Sequence, residues 1–287
     1  MFGRSRTGST LCPSCGMLVG VNDAQCLGCG RARPGLFGLT ALLRQSGLDD
    51  LFVPIVMWGC GALYLASLAA DTSGIGASGF LSLVSPSGNS LFLFGASGAE
   101  PVFEYGRWWT VLSASWLHGG VLHIVFNMMS VRDLGPAVSH FYGGSRTIVI
   151  YTFAGVTGFL ASSVAGAYFT FLPGFLHGAN LTVGASAGIF GLLGAVLHYG
   201  RRGGSAHIRE IATRWIISGL AFGFLLPRID NWAHLGGLAG GYFASFWLDP
   251  FQPERGTHSI LAILCLLLSL LAIVVSVVTG LPMVNPG

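Results

Sequence analysis

The sequence predicts an all-α polytopic membrane protein with seven transmembrane helices and a small N-terminal zinc ribbon. Three observations carry this expectation. The chain of 287 residues is 52% hydrophobic and only 9% charged, well below the charged share of an ordinary soluble domain. Seven apolar stretches contain no Asp, Glu, Lys or Arg: Leu51 to Ala70, Thr110 to Val131, Thr147 to Phe171, Thr182 to Gly200, Trp215 to Pro227, Trp232 to Leu248 and Ile260 to Leu281. Most are long enough to cross a bilayer as helix. Two C-x2-C pairs stand near the start of the chain.

The first element is the cysteine module, expected over residues 1–35 on the cytoplasmic side. The segment "CPSCGMLVGVNDAQCLGCG" places Cys12, Cys15, Cys26 and Cys29 as C-x2-C-x10-C-x2-C, with Gly16 and Gly30 directly after the pairs. Two such knuckles bring four thiolates within tetrahedral reach of one ion, and the glycines allow the tight turn around each sulfur pair. A structural Zn2+ is therefore expected. Two disulfides are the competing reading, disfavoured by a reducing cytoplasm. A module this small holds little core, so the metal would supply most of its folding energy. Cys60 and Cys265 lie inside apolar stretches and read as packing residues.

Residues 36–50 follow as a linker, then the core over 51–250, then the seventh helix and tail over 251–287. The first apolar run begins only at Leu51, behind a polar and basic segment, so no cleavable signal peptide is expected. The fifth stretch is short; Arg214 at its end reads as a snorkelling residue. Between the first two spans, residues 71–109 form a Gly/Ser-rich segment carrying Phe80, Phe92, Phe94, Phe103, Trp108 and Trp109, which suits a loop resting among lipid headgroups.

All 14 basic residues are Arg, and their distribution sets an orientation. Five precede the first span; Arg132, Arg146, Arg201, Arg202, Arg209, Arg214 and Arg255 fall on the same side by alternation, and only Arg107 and Arg228 fall opposite. The positive-inside rule then puts the N-terminus in the cytoplasm and residues 282–287 outside. The basic balance thus reports topology, and no nucleic-acid partner is expected.

Polar side chains at membrane depth are costly and point to function. "WLHGGVLHIVFNMM" puts His118, His123 and Asn127 in the second span, with His123 and Asn127 on one helix face. "NWAHLGGLAGGYFAS" puts His234 at the start of the sixth span, and Ser186 opens the fourth between Gly184 and Gly188. One such histidine alone would read as an interhelical hydrogen bond. In the sixth span His234, Gly237, Gly241 and Ser245 fall at i, i+3, i+7 and i+11; in the fourth, Ala187, Gly191 and Gly194 form a matching stripe beside Ser186. Stripes of small residues let two helix backbones approach closely. If they face one another, Ser186 and His234 meet at one end of the contact, where imidazole could activate the hydroxyl as a nucleophile. His123, Asn127 and the backbone N–H of Ser186 form the available oxyanion donors. Asp230, one turn before His234, is left outside the mechanism.

This arrangement resembles the rhomboid intramembrane serine proteases. The likeness rests on H-x4-H-x3-N at His118, His123 and Asn127, on Gly184 to Gly188 around Ser186, and on Ala233-His234 with Gly237 and Gly241. It covers roughly residues 50 to 250. The resemblance implies Ser186 as nucleophile, His234 as general base, Asn127 and His123 as oxyanion residues and His118 as their support. It also implies a six-helix rhomboid core with an appended seventh helix, no catalytic metal, single-span transmembrane proteins as substrates, and a site open to the outside of a bacterial plasma membrane. A cytoplasmic protein partner of the ribbon is a further expectation. Three departures stand out: Trp109-Thr110 where the family commonly has Trp-Arg, with Arg107 the available substitute; Ser139-His140-Phe141 in place of Glu-x-Arg; and Ala-Gly after Ser186 in place of Gly-Ala. The alternative function is a catalytically inactive, rhomboid-like protein that binds or escorts membrane clients. A transporter is disfavoured because the spans are nearly free of charge.

Overall fold

The computed structural model describes residues 8–12, 15–34, 48–74, 84–173, 176–225 and 229–284. Most of the expected linker, Phe80, Arg228 and the last residues of the tail fall outside this set. Among the described residues, the N-terminal module contains strands β1 (Ser9–Leu11) and β2 (Leu18–Gly20), paired antiparallel with Thr10 opposite Val19. Nine α-helices follow: α1 (Leu48–Ala70), α2 (Gly88–Phe94), α3 (Thr110–Ser113), α4 (Val121–Tyr142), α5 (Gly144–Tyr168), α6 (Ser186–Arg202), α7 (Ala206–Leu225), α8 (Asn231–Trp247) and α9 (Gly256–Val284).

By length and composition, Leu51–Ala70, α5 and α9 each suffice to cross a membrane. The expected second span does not form as one rod. The segment Thr110–Trp116 and helix α4 meet at 90°, because Leu117 is extended and Gly120, at φ 168° and ψ 165°, starts α4 afresh. His118 consequently sits in this break and not on the α4 face that carries His123 and Asn127. Helices α6 and α8 have 17 residues each, or about 25 Å of rise. Both are shorter than a full span and are held inside the bundle by their contacts.

Those contacts explain several of the glycines. Helices α5, α6 and α8 pack backbone to backbone. A Cβ on Gly241 would lie 2.1 Å from the Gly191 carbonyl oxygen, one on Gly237 2.1 Å from that of Ala187, and one on Gly194 2.4 Å from that of Leu238. The two small-residue stripes therefore face each other as the spacing predicts. On the other side of α8, a Cβ on Gly240 would lie 1.9 Å from Thr157 Oγ1 of α5, and the Thr157 hydroxyl donates to the Gly236 carbonyl at 3.0 Å.

The outer elements attach to this centre. Helix α1 packs on α4 and α5, and Tyr64 donates to the Val84 carbonyl, tying its end to the following loop. Helix α7 lies against α6 with three buried residues, Ala212, Ile216 and Gly223; Arg214 near its middle is exposed and pairs with Glu210. Helix α9 lies against α2, α3 and α5, and the Ser145 and Ser259 hydroxyls meet at 3.0 Å. Where the family's Glu-x-Arg is absent, Tyr142 donates to the Ala195 carbonyl at 2.9 Å and Arg146, 4% exposed, donates to the carbonyls of Tyr142, Asp249 and Gln252. Carbonyl oxygens thus hold a buried cation at the end of the α8–α9 connection.

Candidate active site and cysteine cluster

The serine turn is built by pairing with the segment before α3. Ser97 and Thr182 exchange both backbone hydrogen bonds, at 3.0 and 2.7 Å, and Gly184 N–H donates to the Ala114 carbonyl at 3.0 Å. Gly184 has φ +136°, and a Cβ there would also lie 2.7 Å from His123 Nε2. Glycine at this position is required twice over, by backbone conformation and by space. Ser186 is the first residue of α6, and Ala185 before it supplies no side-chain cap. The first N–H groups of the helix are thus left to the space around Ser186, at the positive end of the helix dipole. Ser186 is partly exposed whereas Ala185, Ala187 and Gly188 are buried.

His234 lies in the first turn of α8. Asp230 caps that helix, its Oδ1 accepting from Ala233 N–H at 3.0 Å and its Oδ2 from the Ser162 hydroxyl at 2.5 Å. The carboxylate is therefore occupied by the cap and by α5, and it does not orient the imidazole. His234 is 6% exposed, and its Nδ1 is buried with no hydrogen-bond partner among the described residues. What holds the ring is Phe190, stacked on it at 4.2 Å between centroids and 14° between planes. Phe190 is four residues after Ser186, so the two share a face of α6. The imidazole consequently lies along the face that Ser186 heads, and the backbone contact of Gly237 with Ala187 fixes the height of one helix against the other.

The third group comes from the break and α4. Gly119 N–H donates to His123 Nδ1 at 3.3 Å. In a neutral imidazole that accepts at Nδ1, the proton resides on Nε2, the atom that faces Gly184. His123 thereby presents a donor toward the serine turn. Asn127 is 6% exposed and its amide donates to the His123 carbonyl at 2.9 Å, which leaves one amide proton free. His118 is fully buried, edge-on to His123 with centroids 5.1 Å apart, and both its ring nitrogens lack a partner among the described residues. Its contact with His123 is one of packing.

Two further residues shape the site: Tyr151, which no sequence pattern singles out, and Arg107. Gly188 makes room for Tyr151, whose ring lies 2.4 Å from where a Cβ would stand. Arg107 is 1% exposed, covers the Phe92 ring at 4.2 Å and donates to the carbonyls of Phe92 and Ser276 at 2.8 and 2.7 Å. The segment between α1 and α4 thus has an arginine, three residues before Thr110.

In the N-terminal module the sulfurs of Cys12, Cys15, Cys26 and Cys29 all lie within 4.8 Å of one another. The Cys12–Cys29 and Cys15–Cys26 separations are 3.7 and 3.6 Å. Four thiolates around one tetrahedral zinc would be about 3.8 Å apart, far beyond a disulfide bond of about 2.05 Å. Gly16 and Gly30, at φ +76° and +73°, donate their N–H groups to the Cys12 and Cys26 carbonyls, each at 2.9 Å. Both knuckles have the expected turn, and the donor set fits a metal ion.

A family model described as Rhomboid domain matches residues 105–251. The chain belongs to the rhomboid family. With helices of spanning length, this rhomboid is an integral membrane protein. It is 36% identical over 187 residues to "Rhomboid protease GluP" of Bacillus subtilis, an alignment covering 64% of this chain and 34% of that protein. It is 34% identical over 190 residues to "RHOMBOID-like protein 5" of Arabidopsis thaliana, covering 61% of this chain and 54% of the relative. With "RHOMBOID-like protein 4" of the same plant it shares 32% over 175 residues, covering 58% and 40%. The rhomboid spans about a third to a half of the length of these relatives.

Proposed function

We propose that this rhomboid is an intramembrane serine endopeptidase that cleaves transmembrane segments of single-span membrane proteins. The observation that carries the reading is the stacking of His234 on Phe190, one turn below Ser186, across a helix contact made close by Gly191, Gly237 and Gly241. In the proposed reaction Ser186 Oγ attacks the scissile carbonyl carbon while His234 takes its proton. The oxyanion accepts hydrogen bonds from His123, Asn127 and the Ser186 N–H, while His118 keeps His123 in place. Collapse expels the amine, which His234 protonates, and leaves an acyl-enzyme ester on Ser186. Water, deprotonated by His234, then attacks the ester and restores the serine. Two residues suffice because Asp230 is engaged elsewhere.

Cys12, Cys15, Cys26 and Cys29 would hold Zn2+, which supplies folding energy to the ribbon and takes no part in hydrolysis. Residues 1–35 form that cytoplasmic domain, 36–50 its linker, 51–250 the catalytic core and 251–287 the seventh span with its tail. The arginine distribution supports a cytoplasmic N-terminus and a site opening outward, and the Bacillus relative supports a bacterial plasma membrane. The ribbon, without basic residues between its cysteines, suits a protein partner.

Reconstitution with labelled single-span peptides tests the reading. Cleavage by the unmodified protein, absent in Ser186→Ala and His234→Ala, together with fluorophosphonate labelling at Ser186, is the expected result. A folded protein that neither cleaves nor labels overturns it and leaves the client-binding alternative.

A further inference from the structure

Arg107 is a cation buried in the segment between α1 and α4 without a carboxylate partner among the described residues; its Nη1 and Nη2 donate to carbonyl oxygens of two elements 184 residues apart, Phe92 in α2 and Ser276 in α9, while its Nε has no partner among the described residues. Removing a guanidinium from water is costly unless such acceptors are fixed in place, so the site presupposes that α9 is docked. The docking is close. Ser276 Oγ accepts from Trp109 Nε1 at 3.1 Å, a Cβ on Gly95 would meet Ser276 Oγ at 2.5 Å, and one on Gly280 would meet Leu93 at 3.2 Å.

From Arg107 the contacts continue toward the serine. The Thr110 hydroxyl donates to the Arg107 carbonyl at 2.8 Å and lies 3.4 Å from Ser97 Oγ. Ser97 pairs through its backbone with Thr182, Ala99 and Glu100 donate to the carbonyls of Ala179 and Asn180 at 2.9 and 3.2 Å, and Gly184 hangs from Ala114. Apart from Ala179 N–H, which donates to the Ser162 hydroxyl of α5 at 3.2 Å, the backbone hydrogen bonds that tether the segment 179–184 thus end on the piece of chain that Arg107 fastens to α9.

We propose that Arg107 is a positioning residue that makes the geometry of the Ser186 turn depend on the docking of α9, so that the seventh helix is a working part of the site and not an added anchor. This rests on the catalytic reading of Ser186 only for its activity readout. Arg107 touches none of the groups assigned to the reaction and acts through the Ser97–Thr182 pairing.

The test compares the full-length protein with Arg107→Gln, Arg107→Lys and Ser276→Val in lipid vesicles. Hydrogen exchange over residues 179–186 and the rate of fluorophosphonate labelling at Ser186 are both followed. Arg107→Gln is expected to speed exchange in that segment at least tenfold and to slow labelling by a similar factor. Arg107→Lys, which can reach one carbonyl, should recover part of both. Ser276→Val, which crowds Gly95 while leaving the carbonyl of residue 276 in place, should move both in the direction of Arg107→Gln. Ser145→Ala, which loosens only the other end of α9, should stay within twofold of the unmodified protein. Exchange and labelling unchanged in a folded Arg107→Gln protein overturn the proposal; if that variant does not fold, unchanged values in Ser276→Val overturn it. Failure of the unmodified protein to label defeats the catalytic reading instead, and the exchange data still decide the coupling.

Discussion

The imidazole of His234 lies flat on the ring of Phe190, 4.2 Å between centroids and 14° from parallel. Such a pair contributes about 0.5–1.5 kcal/mol beyond the area it buries. Phe190→Leu keeps an apolar side chain in the cavity and removes the flat surface. The expected outcome is a folded protein whose labelling rate at Ser186 falls about three- to tenfold, measured with a fluorophosphonate. A rate equal to the unmodified protein would show that the ring does not set the position of His234.

Glycines at the helix contact and glycines on the lipid-facing side should respond oppositely to alanine. At Gly241 a Cβ would stand 2.1 Å from the Gly191 oxygen, so α6 and α8 must separate; at Gly61 a Cβ meets nothing within 4 Å. Gly241→Ala should lower the thermal midpoint and abolish labelling. Gly61→Ala, in the interior of α1, should stabilise by about 0.5–1 kcal/mol. Detergent-solubilised unfolding curves measure both.

Asp230 provides a clean separation of capping from catalysis. Asp230→Ala removes the acceptor for Ala233 N–H and should cost about 1 kcal/mol of stability. Asp230→Asn keeps a capping oxygen and should leave the pH dependence of Ser186 labelling where it is. A displaced pH profile in Asp230→Asn would mean that the carboxylate acts on His234 after all.

The cysteine module should bind one zinc per chain, measured by elemental analysis, and Cys26→Ser should abolish binding. Because the ligands are thiolates, protons compete with the ion. Affinity is expected to fall as pH falls and to be retained toward neutral and higher pH. Peptide cleavage by the core should persist when residues 1–35 are removed, with changes confined to substrate access or regulation.

Much of the site could be read from spacing, since the small residues Gly237 and Gly241, and Ala187, Gly191 and Gly194, need no side-chain detail to face each other. The same holds for the cysteine knuckles, whose turns follow from two glycines. Other features left no periodic trace. The bend at residues 117–120 interrupts a run without Asp, Glu, Lys or Arg, and a Gly-Gly pair is compatible with a continuous helix as well as with a corner. Phe190 is one apolar residue in an apolar helix, and no pattern singles it out. Arg107 was visible as the basic residue nearest the missing Trp-Arg, yet its partner Ser276 lies 169 residues away, beyond the reach of any local pattern.

The contact between α6 and α8 also determines what the surroundings can do to the protein. Hydrocarbon tails compete with leucine side chains as near equals, so a helix pair joined by apolar side chains is open to replacement by lipid. At Gly237 and Gly241 the partners are the carbonyl oxygens and backbone of Ala187 and Gly191, and Cα–H groups facing carbonyls have no counterpart in an acyl chain. Changes in chain length or unsaturation of the bilayer should therefore reach α1, α7 and α9 well before they reach this seam. Ser186 and His234 are mounted on the part of the molecule over which the solvent has least hold.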